Sequence, residues 1–190
     1  MDIVLASSSP RRRELMEMLG VENLRILPAR GEEVPPEHAS GAELVKALAL
    51  AKAREVAARC AEGDVIIGAD TIVWVDGRPF GKPRDEADAA RMLRRLSGDC
   101  HTVYTGVAVL RGGKESVECE ESRVWFRELS DEEIARYIAT GEPMDKAGAY
   151  GAQGRGALFV RSIEGDFFNV MGLPLCRLGQ MLRKQGVELL

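Results

Sequence analysis

Ser7-Ser8-Ser9-Pro10-Arg11-Arg12 packs three hydroxyls and two guanidiniums into six residues, at a point where a strand gives way to a helix. Ile3, Val4 and Leu5 read as a short buried strand and Ser9 as an N-cap. Pro10 reads as the first helical residue, and Leu15, Met18 and Leu19 as the apolar face of a helix that stops at Gly20. A helix start presents unpaired N–H groups and a partial positive charge, and arginines add bidentate recognition of oxygen. The segment therefore suits a polyanion such as the phosphate chain of a nucleotide. A capped helix with solvated arginines would look the same over this stretch, so other residues must decide.

Asp70, in Gly68-Ala69-Asp70-Thr71, stands within an apolar strand where a carboxylate is costly unless it is paired, metal-bound or functional. It is the first candidate for a catalytic base. Gly81-Lys82-Pro83 places a lysine just after a hairpin, from which it could return to the same cleft. Glu32-Glu33 could supply a second carboxylate, and Lys52 lies on a long Ala-rich helix; taken alone, each reads first as solvated surface. The segment Asp145 to Gly154 is more distinctive. Its glycines allow close backbone approach to a ligand, and the Gln153 amide can both donate to and accept from the edge of a base.

The elements that must position these residues follow from periodicity and caps. Ser40-Gly41-Ala42-Glu43 is a capping box that opens a helix to about Ala61, with Leu44, Leu48, Ala51 and Val56 at helical spacing. Residues 64–75 read as a strand, Asp76-Gly77 as a tight turn into Arg78-Pro79-Phe80, and Asp85 as the cap of a helix ending at Gly98. Strands are expected at 101–110 and 115–127, joined at Gly112-Gly113. Ser130 to Glu133 forms a second capping box, a strand is expected at 157–163, and a last helix follows Pro174. This order predicts an α/β fold built on an elongated mixed sheet flanked by helices, rather than a repeating βαβ unit.

At 190 residues the chain suits one unit spanning 1–190, or two lobes sharing one core. Its 45% hydrophobic and 29% charged residues are those of a soluble globular protein, with no transmembrane run and no signal-peptide pattern. A net charge of −4 argues against a nucleic-acid polymer as partner and leaves room for a local basic pocket holding a small anion. Cys60, Cys100, Cys119 and Cys176 are scattered, and only His38 and His101 are present. The expectation is therefore reduced thiols in the cytoplasm, and any metal held by carboxylates.

Taken together, the chain resembles the Maf-like nucleoside triphosphate pyrophosphatases, also called septum-formation inhibitor proteins, from end to end. The matching residues are Ala6 to Arg12, Glu33, Lys52, Gly68 to Thr71, Gly81 to Pro83, Thr105-Gly106, Glu142-Pro143, Asp145 to Gly151, Gln153-Gly154 and Val170 to Pro174. The resemblance implies a two-lobed mixed α/β fold of the Maf/ITPase-like type with a central cleft, and a homodimer. It implies hydrolysis of a nucleoside triphosphate between the α and β phosphorus atoms, with a divalent cation, Mg²⁺ or Mn²⁺. It makes Asp70 the proton acceptor, Arg11, Arg12, Lys52 and Lys82 the cations facing phosphate, Ser7 a substrate-binding residue, and Glu33 with Asp70 the metal-side carboxylates. Arg11, Thr71 and Gln153 match the subgroup acting on dTTP and UTP, since an amide beside the base suits a neutral pyrimidine imide. Arg30-Gly31-Glu32 departs slightly from the pattern before Glu33, where many relatives carry Val-Asp or a similar pair. A non-catalytic nucleotide-binding regulator of cell division and a purine-directed pyrophosphatase are the rival readings.

Overall fold

The computed structural model describes residues 1–190. Its strands are β1 (Ile3–Leu5), β2 (Leu24–Ile26), β3 (Val65–Val75), β4 (Arg78–Phe80), β5 (Cys100–Arg111), β6 (Lys114–Phe126) and β7 (Val160–Glu164). Its helices are α1 (Pro10–Met18), α2 (Gly41–Ala57), α3 (Glu86–Leu96), α4 (Asp131–Ile138), α5 (Phe167–Met171) and α6 (Leu175–Lys184). All seven strands belong to one mixed sheet of order β2-β1-β3-β5-β6-β7, with β4 paired to β3 off that path. No helix is long and apolar enough to cross a membrane.

The eleven residues of β3 organise this sheet. One edge is bonded to β5 in antiparallel register from Ile66 opposite Leu110 to Trp74 opposite Thr102. The other edge is shared: β1 pairs in parallel with Val65 to Ile67, and β4 pairs antiparallel with Val73 to Val75. Residues 68–72 lie between these two partners, with no strand beside them. Because β1 runs with β3 and β4 runs against it, the ends of both flanking strands, at Leu5 and Phe80, meet that gap from opposite sides.

The core divides at the same place. Val65, Ile67 and Ala69 pack with Ile3, Leu5, Leu15 and the α6 residues Leu178, Met181 and Leu182. Val73 and Val75 pack instead with Phe80, the α3 residues Met92, Leu93 and Leu96, and the α4 residues Ile134 and Tyr137. One continuous sheet thus joins two apolar clusters, and the strand passes from one lobe to the other at Asp70-Thr71.

Several sequence expectations are corrected. Helix α1 buries Leu15 and Met16, whereas Met18 is 59% exposed. Helix α2 ends at Ala57, and its inward face is Leu44, Val45, Leu48, Ala49, Ala53 and Val56, with Ala51 outward. The strand expected at 157–163 begins only at Val160, because Arg155–Phe159 coils as a 3-10 turn that buries Gly156 and Phe159. The capping boxes at Ser40–Glu43 and Ser130–Glu133 both form, and Asp85 caps α3 through Asp88 N.

His101 is enclosed in the second lobe at 3% exposure. Its Nε2 lies 2.8 Å from the Tyr150 hydroxyl, and its ring meets Phe126 edge-on at 5.0 Å between centroids. Burial pulls the imidazole down to about 4. That lies below the ordinary value of about 6.5 for an unfolded histidine, so between the two values the unfolded chain binds the additional proton. The stability due to neutral His101 is complete above about pH 6.5 and is lost as pH falls toward 4, by on the order of 3 kcal/mol. Urea denaturation from pH 7 to 4.5 should show a steep decline in the wild type and a shallower one in His101→Gln; equal slopes would remove this assignment.

Candidate active site

The gap beside residues 68–72 opens into a cleft of about 700 Å³, within the usual range for small-molecule sites. One wall is the segment leaving β1, Ala6 to Arg12, and another is Gly81-Lys82, leaving β4. Asp145 to Gln153 and Val170 to Gly172 close the remaining side. Ser7, Arg11, Arg12, Glu33, Lys52, Asp70, Thr71, Lys82 and Gln153, expected from widely separated parts of the sequence, all line this one cavity. The walls carry five cationic side chains, Arg11, Arg12, Lys52, Lys82 and Lys146, against the three carboxylates Glu33, Asp70 and Asp145. A chain with a net charge of −4 thus presents a locally positive cleft, the arrangement that attracts an anion.

Asp70 and Lys52 form the centre. Asp70 is 8% exposed. Lys52 Nζ donates to Asp70 Oδ1 at 2.5 Å and pairs with Glu33 Oε1 at 2.8 Å. The lysine therefore draws a loop carboxylate to a strand carboxylate, and the Glu32-Glu33 segment enters the site through Glu33. No group of three or more His, Cys, Asp or Glu side chains is assembled as a metal cage. Two oxygen-donor carboxylates nevertheless suit a hard divalent cation, since Mg²⁺ takes one or two carboxylates and fills its remaining positions with water and phosphate oxygens.

Lys52 reaches Asp70 because α2 lies unusually close to the sheet. A Cβ on Gly68 would fall 2.2 Å from Ala49 O, and one on Gly106 would fall 2.2 Å from Val45 O and 2.7 Å from Lys46 N. Gly106 is the register partner of Asp70. Only hydrogen at these two positions lets the helix backbone settle over the strands, with Ala49 and Ala53 as its smallest contacts.

Arg12, expected to face phosphate, is largely committed to the protein. Its Nε donates to Gly172 O at 2.7 Å, Nη1 to Ala69 O at 2.9 Å and to Ser7 Oγ at 3.2 Å, and Nη2 to Thr71 Oγ1 at 2.9 Å. Four of its five N–H donors are used, leaving one on Nη2. Burial lowers its pKa, and the nearby Asp70 charge opposes that shift. The guanidinium bonds to residues on both sides of Asp70 in the stretch of β3 that lacks a strand partner, and so takes the place of one. Thr71 continues the network: Thr105 gives its proton to Asn169 O, so Thr71 can donate to Thr105 Oγ1 at 2.9 Å.

Arg11 is freer, with one contact to Asp145 Oδ2 at 3.3 Å. Burial disfavours the Asp145 carboxylate, but the Lys146 hydrogen bond, helped by Arg11, holds it below the usual range. Ser9 occupies the N-cap position of α1 without a side-chain cap bond; its N–H donates to Ser7 Oγ instead. Thr105 and Gly172 take part in the site although nothing but the family resemblance pointed to them, and Asp145, at the head of the segment singled out for its glycines, takes part through its carboxylate. Gly172 acts through its own carbonyl, Thr105 through a buried hydroxyl, and Asp145 by holding Arg11.

Residues 2–185 match the family profile described as Maf-like protein. A dTTP/UTP pyrophosphatase of Pelotomaculum thermopropionicum is 51% identical over 191 aligned residues, covering 100% of this chain and 99% of that protein. A dTTP/UTP pyrophosphatase of Moorella thermoacetica is 54% identical over 188 residues, covering 98% of this chain and 96% of that protein. Among solved structures, a nucleoside-triphosphatase / dITP/XTP pyrophosphatase from Mycobacterium abscessus is similar with a TM-score of 0.45 and 16% identity, covering 98% of this chain and 95% of that chain.

Because α2 is seated on Gly68 and Gly106, Gly106→Ala should lower stability by about 1–3 kcal/mol and reduce turnover by moving Lys52 away from Asp70. Gly63, whose added Cβ would meet nothing within 4 Å, supplies the comparison, and Gly63→Ala should be near neutral. Chemical denaturation of both variants checks this; similar stabilities would show that the close approach does not govern the packing.

Proposed function

The chain belongs to the Maf-like family, and from that premise we propose that it hydrolyses dTTP and UTP between the α and β phosphorus atoms, giving the nucleoside monophosphate and pyrophosphate. Asp70 carries the reading: a nearly buried carboxylate, held by Lys52, at the base of a cleft lined by the cations of Arg11 and Lys82.

The triphosphate enters with its phosphates toward the start of α1. Arg11, Lys82 and the serine segment Ser7 to Ser9 face it, together with the remaining Nη2 proton of Arg12. The uncapped first turn of α1 adds backbone N–H groups. Asp70 orients a water and takes its proton as the water oxygen attacks the α-phosphorus in line. The bond from that phosphorus to the α–β bridging oxygen breaks, and the electron pair leaves with pyrophosphate. Lys52 holds the Asp70 carboxylate in place, while the cationic wall offsets charge on the departing group. Glu33 and Asp70 would hold Mg²⁺ or Mn²⁺, which when bound supplies charge neutralisation on the phosphate oxygens. Gln153 is assigned to the base, because its amide suits a pyrimidine imide, and Thr71 lines the same cleft.

The reading extends to a homodimer in the cytoplasm, without a membrane or nucleic-acid polymer as partner. The family resemblance supports the dimer, and the free thiols of Cys60, Cys100, Cys119 and Cys176 fit a reducing compartment.

Incubation with Mg²⁺ or Mn²⁺ and each of dTTP, UTP, CTP, GTP, ATP and 7-methyl-GTP should yield monophosphate and pyrophosphate, fastest from dTTP and UTP. Asp70→Asn should fold normally and lose at least about 100-fold in kcat. Release of inorganic phosphate and a diphosphate would refute the cleavage position. A purine preference would overturn the roles of Arg11, Thr71 and Gln153, and undiminished turnover in Asp70→Asn would remove its role as base.

A further inference from the structure

Glu14 projects from α1 and is not among the residues lining the cleft. Its Oε2 accepts from Gln153 Nε2 at 3.3 Å, across 139 residues of sequence. The other end of that amide, Gln153 Oε1, is buried without a hydrogen-bond partner in the protein. An ionised carboxylate offers acceptors only. Of the two ways a glutamine amide can sit, therefore, Glu14 permits the one that turns the NH₂ toward it and leaves the carbonyl for another donor.

We propose that Glu14 is a specificity-determining residue that fixes the direction of the Gln153 amide, so that the site reads the imide edge of uracil or thymine and rejects cytosine. The inference rests on the dTTP and UTP reading above and deepens it. Uracil and thymine present a donor at N3–H flanked by carbonyl acceptors. When the base enters, the side chain turns its buried, unpaired Oε1 to the cleft to meet that N3–H, and the second Nε2 proton can meet a neighbouring carbonyl. Cytosine reverses this edge, with a lone pair at N3 and a donor at the 4-amino group. A free amide would turn over to suit it. With Glu14 in place, the turned amide would set its oxygen against a carboxylate, and the unturned amide would set its oxygen against the cytosine N3 lone pair. Either arrangement is repulsive, so discrimination arises from an element built against the wrong base.

The test compares kcat/KM for UTP and CTP in the wild type, Glu14→Gln, Glu14→Ala and Gln153→Ala, with melting temperatures measured on each. Glu14→Gln keeps the shape but can face the amide with either group, and Glu14→Ala removes the restraint. In both, the UTP-to-CTP ratio should fall at least about tenfold, mainly through gain on CTP. The Glu14→Ala/Gln153→Ala double variant should be no less selective than Gln153→Ala alone. A merely structural role would reduce both nucleotides together and leave the ratio unchanged. An unchanged ratio in the Glu14 variants with a lowered one in Gln153→Ala would overturn this inference while leaving the pyrimidine reading intact. An unchanged ratio in Gln153→Ala would overturn both the inference and the assignment of Gln153 to the base.

Discussion

A carbonyl on an unpaired strand edge must find a donor, and the middle of β3 is such an edge. Its outer side is bonded to β1 at one end and β4 at the other, with nothing between. A backbone polar group away from water and without a partner is costly, and the fold meets that demand with a side chain, the Arg12 guanidinium on Ala69 O. The cleft exists because the gap is bridged by one side chain rather than closed by a strand. The two chain segments that line it are those released where β1 and β4 stop. The position of the site is thus a property of the sheet's pairing, and the loops add chemistry to a cavity already made.

The opposite face of the same strand solves a different problem. There a carboxylate, Asp70, is nearly buried, a setting that requires a partner. Lys52 supplies it, and the lysine can do so only because α2 is pressed onto glycines at 68 and 106. Backbone approach and charge pairing are therefore coupled, with small residues setting the distance and the ion pair using it. Thr71, one residue on, points to the other face of the sheet and joins the Arg12 network. Adjacent residues of a strand point to opposite faces, so two consecutive residues serve the catalytic side and the bracing side at once.

Much of this was legible in the chain. Long alternating runs and capping boxes are local signals, and β3, β5, β6, α2, α3 and α4 lie close to where periodicity and caps put them. Other elements depend on tertiary context. Strand β2 is three mostly exposed residues held against β1, α5 is five residues capped by Asp166, and the start of β7 is delayed by the 3-10 turn before it. In the site, Asp70 and Gln153 announced themselves by type and setting, whereas Lys52 and Lys82 looked like solvated lysines until the family resemblance singled them out. The commitment of Arg12 did not, because the acceptors that hold it include the carbonyls of Ala69 and Gly172, and a carbonyl acceptor has no signature in a residue's name.

The bond from Arg12 to Gly172 spans 160 residues. During synthesis the arginine emerges early and its last acceptor very late, so until then the guanidinium has one carbonyl fewer and Thr71 lacks the Asn169 and Gly172 side of its network. A nascent chain carrying Asp70, Lys52 and Glu33 thus already holds the reactive groups but not the brace that sets their geometry. A product terminated before residue 172 would therefore bear the reactive groups of the cleft without the Gly172 carbonyl that holds Arg12, and without the α6 residues that complete the core beneath it.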